Sequence, residues 1–77
     1  MSISIRFFAS LSEEIGMSHT SIEATSKMTI GDAWNTATNS TARPDNLLCA
    51  LNHSYARFDQ SVKDGDEVAF FPPVNGG

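Results

Sequence analysis

Residues 64–77, DGDEVAFFPPVNGG, decide the fold of this 77-residue chain. The DGD triplet at their start predicts a tight turn, because Gly65 tolerates a positive φ angle and aspartate side chains bond to nearby backbone. The EVAFF that follows, residues 67–71, is typical of a strand, with Val68 and Phe70 facing a core. A last strand that runs directly into two prolines and a Gly-Gly end predicts a domain with a projecting tail.

The predicted tail, residues 72–77, differs from the polar ends of most small domains. Its two prolines each hold φ at about −65° and favour an extended rod, so the tail is stiff at its base. Gly76 and Gly77 have no Cβ atom and accept many backbone angles, so its tip is thin and pliable. We therefore predict a folded domain over residues 1–71, a flexible tail beyond it, and a function for the carboxyl group of Gly77.

The N-terminal third of the chain predicts a β-hairpin with a short helical turn between its strands. Residues 2–9, SISIRFFA, alternate between the two faces of a strand, and residues 20–24 alternate in the same way. Between them, LSEEIG at residues 11–16 supplies one helical turn, which Gly16 ends. The side chains predicted to face the core are Ile3, Ile5, Phe7, Thr20, Ile22 and Ala24.

One longer helix is predicted at residues 29–39, TIGDAWNTATN. Thr29 is suited to cap it, and Asp32 three residues later gives the aspartate form of a capping box. Its apolar residues fall at i, i+3, i+4 and i+7 and form one stripe, which consists of Ile30, Ala33, Trp34 and Ala37. A loop containing Pro44 follows.

Two further strands complete the predicted order of elements. The apolar run LLCALN, residues 47–52, is typical of a strand that is buried on both faces, and residues 54–58 predict a brief edge strand. The order strand, strand, helix, strand, short strand, strand indicates an α+β fold with the helix across one sheet face. It is the order of the ubiquitin-like β-grasp fold. We expect a mixed sheet of about five strands, whose first and last strands lie parallel at its centre, and an extended C-terminal tail.

Length and charge narrow the classes of function. A chain of 77 residues has little room for an enclosed pocket, so a carrier or a binding module is favoured over an enzyme with its own deep active site. Five basic and nine acidic residues give a net charge of −4, and the basic residues form no cluster, so we expect no nucleic-acid partner. An acidic surface instead suits a partner protein with a basic docking face.

Few side chains of this chain are suited to bind metals or to form disulfides. The single cysteine, Cys49, has no internal disulfide partner, which fits a reducing compartment, and in its apolar run a buried thiol acts as inert packing. His19 and His53 lack the spacing of metal ligands, so neither a metal site nor a permanently bound cofactor is expected. No signal peptide or membrane-spanning run is apparent, and we expect a cytoplasmic protein that does not bind membranes.

Two aromatic side chains are predicted on the outward face of the sheet. Alternation places Phe8 and Phe71 outward, whereas their neighbours Phe7 and Phe70 point into the core. Aromatic rings on an otherwise polar sheet face are typical of a protein interface, so we expect both to contact a partner. The same alternation places five other residues on this face: Ser2, Ser4, Arg6, Glu67 and Ala69.

The C-terminal residues also carry a resemblance to a known family. DGDEVAFFPPVNGG, together with IRFFA at residues 5–9 and LNHSYARFDQSVKDGDEV at residues 51–68, resembles the small, sulfur-carrying subunits of molybdopterin synthase. The resemblance implies the β-grasp fold and adds Tyr55 to the outward aromatic side chains, because Tyr55 matches a hydrophobic position of that family's subunit contact. It also implies that the tail enters the partner, so that four more residues belong to the contact: Pro72, Pro73, Val74 and Asn75.

The resemblance further implies a reaction at the end of the tail. A terminal carboxyl group has a pKa of about 3.3–3.7 and is a poor electrophile at neutral pH, so it must first receive a leaving group. In that family an ATP-dependent activating enzyme adenylates the last glycine, here Gly77 after Gly76, and a sulfide equivalent replaces AMP to leave a thiocarboxylate. The thiocarboxylate enters the large synthase subunit, in a heterotetramer of two small and two large subunits, and donates sulfur to a pyranopterin precursor.

Other functions remain compatible with a Gly-Gly end on this fold. Sulfur carriers for thiamine thiazole synthesis or tRNA thiolation share both features and differ in the large partner that they bind. A ubiquitin-like modifier would conjugate Gly77 to lysine side chains instead of carrying sulfur. A passive binding module would not need Gly76 and Gly77 at all.

Overall fold

Seven helices and strands form the domain in the computed structural model, which describes residues 1–73. In chain order they are β1 (Ser2–Phe7), α1 (Ser10–Ile15), β2 (His19–Glu23), α2 (Ile30–Thr38), β3 (Leu48–Leu51), β4 (Ser54–Ala56) and β5 (Glu67–Phe71). The strands form one sheet in the order β2-β1-β5-β3-β4, in which β1 and β5 are parallel and the other neighbours are antiparallel. This mixed five-stranded sheet with its helix confirms the predicted β-grasp architecture.

The parallel pairing of β1 with β5 determines which side chains enter the core. Ile5 lies opposite Val68 and Phe7 lies opposite Phe70, so the apolar positions of both strands face the same side. All four side chains are buried. The pairing continues for one residue beyond β1, where the backbone N–H of Phe8 donates to the carbonyl oxygen of Phe70 at 3.1 Å.

The helix α2 begins where the sequence predicts. Thr29 Oγ1 accepts a hydrogen bond from the backbone N–H of Asp32 at 3.1 Å, and the Asp32 carboxylate accepts one from the backbone N–H of Thr29 at 3.0 Å. These two bonds form the predicted capping box. Trp34 is fully buried on the helix stripe, and its indole N–H donates to the carbonyl oxygen of Thr41 at 2.7 Å, so this core residue has no unsatisfied polar group.

Aromatic rings make up the centre of the core. The Phe70 ring lies 5.0 Å from that of Trp34, 5.9 Å from that of Phe7 and 6.1 Å from that of Phe58, measured between centroids. The Arg43 guanidinium group covers Phe58 at 4.3 Å from its ring centre. Phe70 therefore has aromatic neighbours from α2, from β1 and from the segment after β4.

The strand β3 differs from the sequence prediction. Cys49 is buried as expected, but Leu48 and Ala50, which alternate with it, are only half-buried. The expectation of a strand buried on both faces is wrong, because the helix covers one face of the sheet and the described residues do not cover the other. The side chains of Leu48 and Ala50 therefore extend the outer surface of the sheet.

The remaining elements agree with the sequence. The helical turn α1 ends at Gly16, whose φ of 87° suits glycine, and the brief edge strand is β4. No helix within residues 1–73 is long and apolar enough to cross a membrane. Pro72 and Pro73 follow β5 directly, whereas residues 74–77 of the predicted tail lie outside the described residues. The domain boundary after Phe71 stays a prediction.

Candidate functional site

The outer face of the sheet is the candidate functional surface. Along β5, Glu67, Ala69 and Phe71 face outward, while Val68 and Phe70 are buried. Residues paired across neighbouring strands lie on the same face, so the strand register extends this surface sideways. Phe71 pairs with Leu48, Ala69 lies between Arg6 and Ala50, and Tyr55 pairs with Ala50.

Phe8, Tyr55 and Phe71, here called the aromatic patch, lie on this surface. Phe8 and Tyr55 are 46% and 79% exposed, and Phe71 is half-buried. The rings of Tyr55 and Phe71 lie 5.8 Å apart, and Phe8 flanks Phe71 because it continues the pairing of β1 with β5. The outward orientation of Phe8 and Phe71 agrees with the sequence alternation, and that of Tyr55 agrees with the resemblance. Large apolar side chains exposed together are typical of a protein-binding surface.

The base of the predicted tail adjoins the aromatic patch. Pro72 is half-buried and Pro73 is exposed, and both follow Phe71 without a turn. The other predicted tail residues, Val74, Asn75, Gly76 and Gly77, lie outside the described residues, and their roles stay predictions.

A shallow groove of about 280 Å³ lies beside the aromatic patch. It is lined by Arg6, Phe8, His53, Glu67 and Ala69. Arg6 Nε donates to Glu67 Oε2 at 2.6 Å, and His53 Nε2 lies 3.3 Å from Glu67 Oε1. We call Arg6, His53 and Glu67 the charged corner. Sequence alternation places Arg6 and Glu67 on the outer face, but their contact joins residues 61 positions apart and depends on strand register.

The turn between β3 and β4 holds His53 against Glu67. Asn52 and His53 have φ angles of 50° and 73°, which makes this a left-handed two-residue turn. The backbone N–H of Asn52 donates to the carbonyl oxygen of Glu67 at 2.8 Å, and Asn52 Oδ1 accepts a bond from the backbone N–H of Glu67 at 2.9 Å. Both bonds tie the turn to the start of β5 and so place the backbone of His53 beside Glu67.

Cys49 lies on the opposite, inner face. Its thiol donates to the carbonyl oxygen of Ala56 at 3.2 Å, and burial raises the pKa of the Cys49 thiol, although the nearby charge of Arg43 acts in the opposite direction. A buried thiol that stays protonated is a weak nucleophile, which agrees with its predicted packing role. Within residues 1–73, no group of three His, Cys, Asp or Glu side chains is placed to hold a metal ion.

The described outer face thus combines exposed rings, an ion pair and a shallow groove, all of which suit docking of a protein.

A known protein family matches nearly the whole chain in sequence. The sequence profile of the ThiS family matches residues 5–77. The chain belongs to the ThiS family.

Two curated proteins resemble this ThiS-family chain in sequence, and both are named molybdopterin synthase sulfur carrier subunit. The protein from Haemophilus influenzae is 36% identical over 97% of this chain and 99% of its own length. The protein from Escherichia coli is 61% identical over 31 residues, which span 40% of this chain and 38% of that protein. The first match extends over practically the full length of both proteins.

Solved structures share the fold of this ThiS-family chain. Small archaeal modifier protein 1 (SAMP1) from Haloferax volcanii superposes with a TM-score of 0.84 at 26% identity, and the match covers all of both chains. A chain from the complex of subunits 1 and 2 of the molybdopterin-converting factor of Helicobacter pylori superposes with a TM-score of 0.68 at 23% identity, again over both full chains. The second likeness concerns the fold alone.

Proposed function

We propose that this chain is a sulfur carrier subunit of molybdopterin synthase and that the carboxyl group of Gly77 carries the sulfur. The observation that carries the proposal is the relative from Haemophilus influenzae, which has that name and is 36% identical over 97% of this chain. The family match runs through residue 77 and therefore includes the Gly-Gly end.

The proposed chemistry takes place in two substitutions at the Gly77 carboxyl group. A carboxylate oxygen first attacks the α-phosphate of ATP in the activating enzyme, so that pyrophosphate leaves and an acyl adenylate remains. A sulfide equivalent then attacks the activated carbonyl carbon, AMP leaves, and the chain ends in a thiocarboxylate. Gly76 and Gly77 suit a narrow active-site channel because they have no Cβ atoms. The ATP is consumed by the activating enzyme, so this chain needs no cofactor of its own.

The fold supports this role by anchoring the tail beside a docking surface. The strand β5 is hydrogen-bonded to β1 on one side and to β3 on the other, so Pro72 and Pro73 leave from the middle of the sheet. In the proposal, the aromatic patch binds the large synthase subunit while the residues from Pro72 to Asn75 enter its active site. The fold relative from Helicobacter pylori is described as a complex of subunits 1 and 2. A heterotetramer of two small and two large subunits in the cytoplasm is part of the proposal.

Intact-mass measurement tests the proposal. With ATP, the cognate activating enzyme and a sulfide donor, the chain should gain about 16 Da, because sulfur replaces one oxygen. Pyrophosphate should be released before any sulfur donor is added. The matched control is a chain that lacks Gly76 and Gly77, which should remain folded, gain no mass and support no molybdopterin formation. A mass gain that persists in the shortened chain, or that maps to Cys49 as a persulfide, would contradict the terminal-carrier mechanism.

A second function is favoured by the likeness to small archaeal modifier protein 1, at 26% identity over the full length of both chains. A modifier would join Gly77 to lysine side chains through an amide bond. Incubation of the activated chain with a cell extract, with and without a sulfide donor, separates the two. The carrier proposal requires a stable thiocarboxylate on the free chain, whereas a modifier would accumulate as conjugates of higher mass that contain no thiocarboxylate.

A further inference from the structure

Arg6 has hydrogen-bond donors that no group within residues 1–73 accepts. A guanidinium group carries five N–H donors, and only the Nε of Arg6 has a partner there, Glu67 Oε2 at 2.6 Å. The Arg6 side chain is 50% exposed and lines the groove beside Phe8. Its terminal nitrogens, Nη1 and Nη2, are therefore available to another molecule.

Glu67 has one hydrogen-bonded carboxylate oxygen, Oε2, and a second that lies near His53. Oε2 accepts from Arg6, and Oε1 lies 3.3 Å from His53 Nε2. Arg6 bonds to Glu67 through Nε alone, so the pair lacks the two parallel bonds that carboxylates and guanidinium groups favour. The terminal N–H groups of Arg6 therefore have no acceptor among residues 1–73, and a hydrogen-bond acceptor is the group that would satisfy them.

Docking on the aromatic patch would bury these donors. Phe8 belongs to both the patch and the groove, so a protein that covers the patch also covers Arg6. Buried donors without acceptors oppose binding, and a carboxylate accepts two parallel bonds from one guanidinium group. The net charge of −4 favours a partner surface that is basic overall. An acidic side chain at this one position would then fix the orientation of the partner and help to select it.

We infer that an aspartate or glutamate side chain of the large synthase subunit enters the groove and binds the terminal N–H groups of Arg6. This inference rests on the proposed function, because that function supplies the partner. The aromatic patch then provides the apolar part of the contact, and Arg6 provides the part that distinguishes one partner from another.

Titration calorimetry with the large synthase subunit of the same organism tests the inference at two salt concentrations. Arg6→Gln should weaken binding by about tenfold or more, the usual loss for a hydrogen bond to a charged group, and should reduce its salt dependence. The matched control is Lys27→Gln, which removes the same charge from an exposed residue that precedes α2. Its affinity should stay within about twofold of the wild type.

The double variant Arg6→Gln/Glu67→Gln separates two roles of Arg6. If Arg6 binds a partner carboxylate, the double variant should stay about as weak as Arg6→Gln. Recovery of wild-type affinity would overturn the inference, because Arg6 would then serve only to neutralise Glu67. Urea unfolding midpoints of all variants, measured on the free chain, separate losses of binding from losses of folding.

A charge exchange identifies the partner residue. The variant Arg6→Glu should bind poorly, and one Asp→Lys or Glu→Lys change in the large subunit should restore its binding. Failure of every such change to restore binding, or unchanged affinity of Arg6→Gln, would overturn the inference. If the wild-type chain does not bind the large subunit at all, the proposed function fails instead. If Phe71→Ala weakens binding while Arg6→Gln does not, the proposed function stands and only this inference is lost.

Discussion

Phe70 and Phe71 are adjacent phenylalanines in β5 that face opposite sides of the sheet, so the same substitution at each should affect different properties. Phe70 is fully buried, whereas Phe71 is half-buried on the outer face. We expect Phe70→Ala to destabilise the fold and Phe71→Ala to weaken partner binding. Each variant serves as the control for the other, because residue type, strand and volume change are identical.

The expected loss at Phe70 follows from its surroundings. Three aromatic rings, those of Phe7, Trp34 and Phe58, lie between 5.0 and 6.1 Å from the Phe70 ring. Removal of a fully buried ring costs about 3–5 kcal/mol, because apolar contacts are lost and a cavity remains. At roughly 0.05–0.15 kcal/mol per residue, a domain of this size has about 4–12 kcal/mol of stability in all. Phe70→Ala should therefore remove much of the free energy of unfolding.

The expected effect at Phe71 falls mainly on binding. Its ring packs against that of Tyr55 at 5.8 Å on the outer face, so truncation should cost about 1 kcal/mol of stability and lower the melting temperature by about 4–8 °C. As a central anchor of the proposed contact, Phe71 should contribute about 2 kcal/mol to binding of the large subunit, or roughly 30-fold in Kd. Urea unfolding and titration calorimetry measure the two quantities on the same preparations.

Two results would contradict the reasoning about Phe70 and Phe71. If Phe71→Ala lowers the urea midpoint as much as Phe70→Ala does, the outer face is not solvent-exposed in the free chain. If Phe71→Ala leaves Kd unchanged for protein that is shown to be folded, the aromatic patch is not the docking surface.

Two further predictions concern Ala9 and Cys49. Ala9, at φ 56° and ψ −140°, occupies a region favoured by glycine, so Ala9→Gly should relieve about 1–3 kcal/mol of strain against an entropy cost of about 0.5–1 kcal/mol. A raised urea midpoint is expected, and a lowered one would refute the strain. Because burial raises the pKa of the Cys49 thiol, the unfolded chain loses this proton first. The contribution of the protonated thiol to the free energy of unfolding is complete below the pKa of the thiol in the unfolded chain, about 8.5. It is lost as pH rises through the pKa of the thiol in the folded chain. The stability advantage of the wild type over Cys49→Ala should narrow at alkaline pH, and a constant difference would contradict this.

Local patterns in the sequence determined the elements and their faces. Alternation in residues 2–9 and 67–71 was sufficient to separate Phe7 and Phe70 from Phe8 and Phe71, because neighbouring side chains of a strand point to opposite faces. The capping box at Thr29 and the helix stripe that contains Trp34 also depend only on residues within a few positions of each other. The order of these elements was then enough to predict the β-grasp fold.

The tertiary structure decided which outer residues meet. The contact of Arg6 with Glu67 joins strands from opposite ends of the chain, and His53 reaches Glu67 because two hydrogen bonds tie its turn to β5. The half-exposure of β3 depends on where α2 lies. An apolar run has the same sequence whether one face of its strand is covered or both are. Strand register and helix position are set by packing of the whole core, so they cannot be predicted from any one local pattern of residues.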